Sequence, residues 1–191
     1  VQHRGWTGPY FVDADHISLK TVEPFFEACD FFTLDVADWI GVDVGAEAVE
    51  QIVKRYENLV GSLSVPGIDG PLHISRSVLS DAAKNYYTAI REAGRIHRYI
   101  EQAKNGRPVI IEVSLDETDR PQTPTELLLI LVMVAEEGIP AQTIAPRFTG
   151  RFNKGVDYVG DVAEYARQFE EDLAVVAMAI KEFHLPDNLK L

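Results

Sequence analysis

Cysteine is nearly absent from this chain. The single Cys29 in 191 residues cannot close an internal disulfide, so no covalent staple holds the fold, and a reducing, cytoplasmic setting is expected. Basic residues are also scarce. With 18 Lys and Arg against 30 Asp and Glu, the formal net charge is -12, which repels polyanions on average and argues against nucleic acid as a partner. Long apolar runs are missing too. The longest, Leu127 to Ala135, falls far short of the roughly 20 residues that span a bilayer, so no membrane helix is expected. No segment joins a basic start, an apolar run and a small-residue cleavage site. There is no internal repeat, no low-complexity tail and no feature that specifies an oligomeric state. The chain opens on Val1 rather than Met and is read as a piece of a longer one.

What is present is enough apolar content, 46%, for one real core, burying roughly 70% of the surface of the unfolded chain. Runs rich in aromatic and β-branched residues alternate with segments of helical period, the pattern of strand and helix units on a parallel sheet. Strands are expected over Tyr10 to His16, Phe31 to Val36, Val109 to Leu115 and Gln142 to Pro146. A first helix runs from Ala46 to Val60, with Val49, Ile52, Val53, Tyr56, Leu59 and Val60 on one stripe. A long one covers about Val78 to Lys104, stopped by Asn105-Gly106. Thr123-Pro124-Thr125-Glu126 reads as a capping box that opens a third helix. The last opens at Asp161 and stops near Leu185, with Val162, Tyr165, Phe169, Leu173, Val176, Ile180 and Phe183 expected inward. The stretch GSLSVPGIDGPLHIS is too rich in Gly and Pro for a clean unit. The expected architecture over 1–191 is a single α/β domain made of about four β/α units, an incomplete (β/α)8 barrel, because a full barrel takes about 250 residues. An open, doubly wound sheet is the alternative, but no G-x-G-x-x-G or phosphate loop follows any strand.

Acids collect at the ends of these strands. Alternation puts Asp13 with Asp15, Thr33 with Asp35, and Glu112 with Ser114 and Asp116, each set on one face. Strand C-termini are where α/β folds place active sites, and a carboxylate buried there without a partner costs several kcal/mol. A lone acid at such a position also serves as a helix N-cap or a solvated loop residue. Three strands ending this way point instead to a metal, a wet cavity or a charged partner. His16, beside these acids, is a candidate metal ligand. His3, His73, His97 and His184 lack ligand spacing, and His97, among Arg95, Arg98 and Tyr99, is expected on an exposed face. Arg147, Arg151 and Lys154 form the one local basic cluster, suited either to an anionic substrate group or to pairing with Asp157 and Asp161.

Four stretches, FVDADHI, FFTLDVADWIG, VSLDETDRPQTPTE and IAPRFTGRFNKGVDYVGD, together resemble the tagaturonate epimerases of hexuronate catabolism, from about Phe11 to the C-terminus. The resemblance implies a barrel-like isomerase that interconverts D-tagaturonate and D-fructuronate with a divalent metal. It makes Asp15 the proton acceptor, His16 a metal ligand and Glu117 the proton donor. It also implies further histidine ligands after Leu191, so that this piece alone would be inactive. Oxygen and imidazole ligands suit Mn, Zn, Fe and Ni alike. The two sugar acids differ at C4, which is not adjacent to the C2 ketone, so simple enolisation does not invert it. A retro-aldol route does, with Asp15 as base, Glu117 returning a proton and Arg147 gripping the substrate carboxylate. Asp15 and His16 are adjacent, so both reach one site only if the strand turns at His16. Asp13 has no assigned role. A metal-dependent aldolase or ketose isomerase would use the same groups, and a non-enzymatic sugar-acid binding protein would need no metal.

Overall fold

The computed structural model describes residues 2–153 and 155–191. Its main sheet holds four parallel strands, β1 (Asp13–Ile17), β2 (Phe31–Asp35), β5 (Ile110–Leu115) and β6 (Thr143–Pro146), side by side in chain order. Two short strands, β3 (Gly61–Leu63) and β4 (Leu72–Ile74), pair as an antiparallel hairpin inside the Gly- and Pro-rich stretch, more regular than its composition suggests. Four helices accompany them: α1 (Ala46–Arg55), α2 (Arg76–Lys104), α3 (Pro124–Glu136) and α4 (Val162–Phe183). Strand order never reverses, so the sheet lacks the switch point of a doubly wound fold.

Each helix packs on the next, α1 on α2, α2 on α3 and α3 on α4. The middle of this layer explains α3. Its residues Leu127 to Val134 are all buried, because it has neighbours on every side and needs no polar face. Its start is fixed as expected: Thr123 Oγ1 accepts from Glu126 N at 3.2 Å, and Glu126 Oε2 accepts from Thr123 N at 2.9 Å. One face of the sheet presents Ala14, Ile17, Phe32, Leu34, Ile111, Val113, Leu115 and Ile144 to the core. The other carries the polar rows. In register these are Thr33, Glu112 and Thr143, then Asp35, Ser114 and Ala145. Beyond β6, Lys190 bridges Thr143 in parallel, with Ile144 N donating to Lys190 O at 2.9 Å. No helix among the described residues is long and apolar enough to cross a membrane.

Several expectations need correction. β1 starts at Asp13, leaving Tyr10, Phe11 and Val12 as an exposed lead-in. α1 stops at Arg55 and gives way to a short 3-10 turn over Glu57–Leu59, which leaves Val60 exposed. α2 begins at Arg76, because the side chain of Ser75 caps Val78 N. In α4 the buried residues are Gln168, Asp172, Val175, Val176 and Ala179, while Val162 and Leu173 face solvent. His97 is buried, not exposed. It follows Ala93 by four residues and precedes Ile100 by three, which puts it on the inward stripe of α2, and burial lowers its pKa.

Candidate active site

The site begins with a local break in β1. Between Ala14 and Ile17 the register with β2 slips, and His16 takes a left-handed φ of 54°. A bulge of this kind re-aims side chains. Here it leaves Asp15 and His16 both outside the core while Ile17 returns to it, so the expected turn at His16 is met inside the strand rather than by its end. The two side chains meet directly: His16 Nδ1 lies 2.6 Å from Asp15 Oδ1. A carboxylate can only accept, so Nδ1 carries the hydrogen, and in the neutral ring Nε2 keeps its lone pair. That Nε2 lies 4.0 Å from Asp116 Oδ1, across the end of β5. The hydrogen bond to Asp15 leads in raising the His16 pKa, and the charges of Asp116 and Asp35 add to it.

The rest of the acidic face is fixed by neighbours. Asp13 accepts from Thr33 Oγ1 at 3.3 Å, and Asp116 accepts from Ser114 Oγ at 2.6 Å. Asp35 accepts from Ala37 N at 3.1 Å and so caps the turn after β2, the structural use open to any strand-end acid. Glu112 is half-buried, and burial, then the charges of Asp13 and Asp116, push its pKa up. Burial likewise raises that of Asp13, against the pull of the Thr33 hydrogen bond. Glu117 is exposed in the loop after β5 and follows Asp116 directly.

A cavity of about 600 Å³ opens beside this face. Its lining includes Glu112, Asp116, Arg147, Arg151 and Phe152. Arg147 Nη1 donates to the Asp116 carbonyl at 2.9 Å, and its main-chain N–H is taken by buried Gln122. Gln122 also donates to Leu115 O and to Thr118 Oγ1, so one amide ties the ends of β5 and β6 together. Neither Arg147 nor Arg151 pairs with Asp157 or Asp161 among the described residues, and Asp161 instead caps α4 through Ala163 N and Glu164 N. Lys154, the third member of the basic cluster, lies outside the described residues. No local sequence pattern reveals Gln122 or singles out the cavity-lining rings of Phe148, Phe152 and Tyr165, which pack with Tyr158 and Phe169. The density of rings between 148 and 169 is a signal for the aromatic group as a whole, and Gln122 has none.

A parallel sheet in sequential order, with acids and a histidine at the strand ends, defines an α/β protein of the class that works at the C-terminal edge of its strands. Residues 1–185 match the family described as tagaturonate epimerase, and the chain belongs to that family. It is 25% identical over 189 residues to the tagaturonate/fructuronate epimerase of Thermotoga maritima, an alignment covering 93% of this chain and 39% of that protein. It is similar as well to two glycerol-complexed crystal structures of fructuronate-tagaturonate epimerase from Cohnella laeviribosi. The one-glycerol complex superposes with a TM-score of 0.73 at 27% identity over 95% of this chain and 39% of that one. The two-glycerol complex gives 0.75 at 26% identity over 92% and 38%. The chain thus spans about 39% of the length of the curated relative it matches.

Proposed function

We propose that the protein containing this chain is a metal-dependent epimerase that interconverts D-tagaturonate and D-fructuronate at C4, and that its sheet forms four consecutive strands of a (β/α)8 barrel. Family membership supports the reaction. The sequential strand order, and the bridge of Lys190 to the outer edge of β6, support the barrel. The observation that carries the site is the Asp15–His16 pair, since a carboxylate on Nδ1 is the usual way a metal-binding histidine is held with Nε2 toward the ion. The donor set fits a divalent cation, with His16 Nε2 as ligand and the Asp116 carboxylate nearby. Among the described residues no three His, Cys, Asp or Glu side chains converge to hold a metal, so His16 contributes to a centre rather than completing one.

When bound, the cation supplies a Lewis acid that draws electron density from the C2 carbonyl. The side chains of this chain do the rest. Asp15 keeps Oδ2 for the C4 hydroxyl while Oδ1 holds His16, and it takes the hydroxyl proton. The O4 electron pair forms the C4 aldehyde, the C3–C4 bond breaks, and its electrons pass into the C2–C3 enediolate. The aldehyde turns and C3 attacks its other face. Glu117, exposed beside Asp116, returns a proton, and Arg147 holds the substrate carboxylate with the donors not spent on Asp116. The test is turnover by the full-length protein before and after divalent cations are stripped. Activity should vanish and return with added cation, and the product should have the mass of the substrate. Full activity without cation contradicts the metal, and two smaller fragments as products contradict the epimerase.

A further inference from the structure

We infer that Arg151 binds the substrate carboxylate together with Arg147 and, as the cavity arginine with no partner among the described residues, sets the preference for a sugar acid over the corresponding neutral ketose. The identity of the substrate rests on the epimerase reading above, but the assignment itself comes from how the arginines of this acidic chain are used. Among the described residues every arginine except Arg4 and Arg151 is bonded to a carboxylate or a main-chain carbonyl. Arg4 lies in the exposed N-terminal turn. Arg151 lines the cavity that Glu112 and Asp116 share. With 30 acids in the chain, a guanidinium left unpaired at a cavity is a site for an anion from outside.

The main chain at Arg151 is fixed, as a binding residue requires. Arg151 N donates to Val159 O at 2.9 Å and Val159 N to Arg151 O at 3.1 Å, which closes the base of the loop between them. Tyr158 reaches back with its hydroxyl to Thr149 O at 3.1 Å, and its ring lies against Gly150. Gly150 has a φ of 78°, and a Cβ there would run into that ring, so both its conformation and its lack of a side chain are required. Phe152 packs on Tyr158 and Tyr165, with ring centroids 4.9 and 5.3 Å away. Arg151 therefore stands on a braced wall with its fork available for a bidentate carboxylate contact. Arg147 differs, because its tie to the Asp116 carbonyl makes it a positioning residue for the acidic side of the cavity as well.

The test is calorimetric binding of D-fructuronate, and of D-fructose as its neutral counterpart, to the full-length metal-loaded protein and to its Arg151→Gln and Arg151→Lys variants. Arg151→Gln should weaken D-fructuronate roughly 10- to 100-fold and leave D-fructose unchanged, with Arg151→Lys in between. Unaltered D-fructuronate binding in Arg151→Gln overturns the assignment. So does equal weakening of both sugars, or equal affinity of the two sugars for the unsubstituted protein. Affinity is read as an equilibrium quantity and epimerisation is assayed separately, so the two readings fail separately. Arg151-dependent binding without epimerisation removes the reaction and keeps Arg151, whereas epimerisation with Arg151-independent binding does the reverse.

Discussion

Asp15 carries two duties in the proposed site: it fixes the His16 tautomer through one oxygen and serves as base through the other. The duties separate on substitution. Asp15→Asn can still pair with Nδ1 but cannot take a proton, so kcat should fall roughly 10²- to 10⁴-fold. Asp15→Ala also frees the ring, and cation affinity measured by titration should fall a further 10- to 100-fold, the usual cost of losing such a partner. Equal cation affinity in Asp15→Ala and the unsubstituted protein would remove the orienting role. A second residue matters for stability. Asp172 is buried in α4, neither of its carboxylate oxygens has a partner among the described residues, and burial raises its pKa to about 7. A folded pKa above the unfolded 3.8 means that the folded state favours the protonated acid, so stability is full below about pH 4 and is lost as pH rises through 7. Asp172→Asn should therefore stabilise the protein on the order of 2–4 kcal/mol at pH 8, in urea titrations, with the gain gone near pH 4. The same gain at both pH values would show that ionisation is not its source.

At the scale of elements, the bulge in β1 and the loop after β6 do the shaping, and two fixtures hold their surroundings. The capping box of Thr123 and Glu126 starts α3 directly after the loop that carries Glu117, and Thr123→Ala should cost about 1 kcal/mol in denaturant unfolding. No change in the denaturation midpoint would mean that the cap is idle. The second fixture is Lys104 at the end of α2. Its ammonium is buried, donates to the main-chain carbonyls of Phe26 and Cys29, and lies 5.3 Å from the centre of the Phe32 ring. It ties the β1–β2 connection to the helix layer. Lys104→Met leaves both carbonyls without that donor and should destabilise by about 2 kcal/mol or more.

For the molecule as a whole, the sequence specified the four strands of the sheet and their parallel order well, because alternation and β-branched runs report burial directly. It misplaced the inward face of α4, where apolar residues surround most of the helix and the buried line includes Gln168 and Asp172. Gln168 is tolerated there because it bonds to Thr149 N and to Gln122 O, partners from distant parts of the chain that no local pattern reveals. The sequence neighbours of His97, Arg95 and Arg98, suggest an exposed face, but helical geometry makes Ala93 and Ile100 the informative ones. Of the site, Asp15, His16 and Arg147 could be picked out by type and place. The Asp15–His16 bond and the idle guanidinium of Arg151 depend on backbone geometry and became visible only in three dimensions.

In the proposed reaction a base on this acidic edge inverts C4 by breaking the C3–C4 bond. The most direct measurement is conversion of D-fructuronate by the full-length, metal-loaded protein in deuterium oxide, with the product read by NMR. D-tagaturonate should retain its original hydrogen at C4, and deuterium at that carbon would rule out cleavage of the C3–C4 bond as the route of inversion.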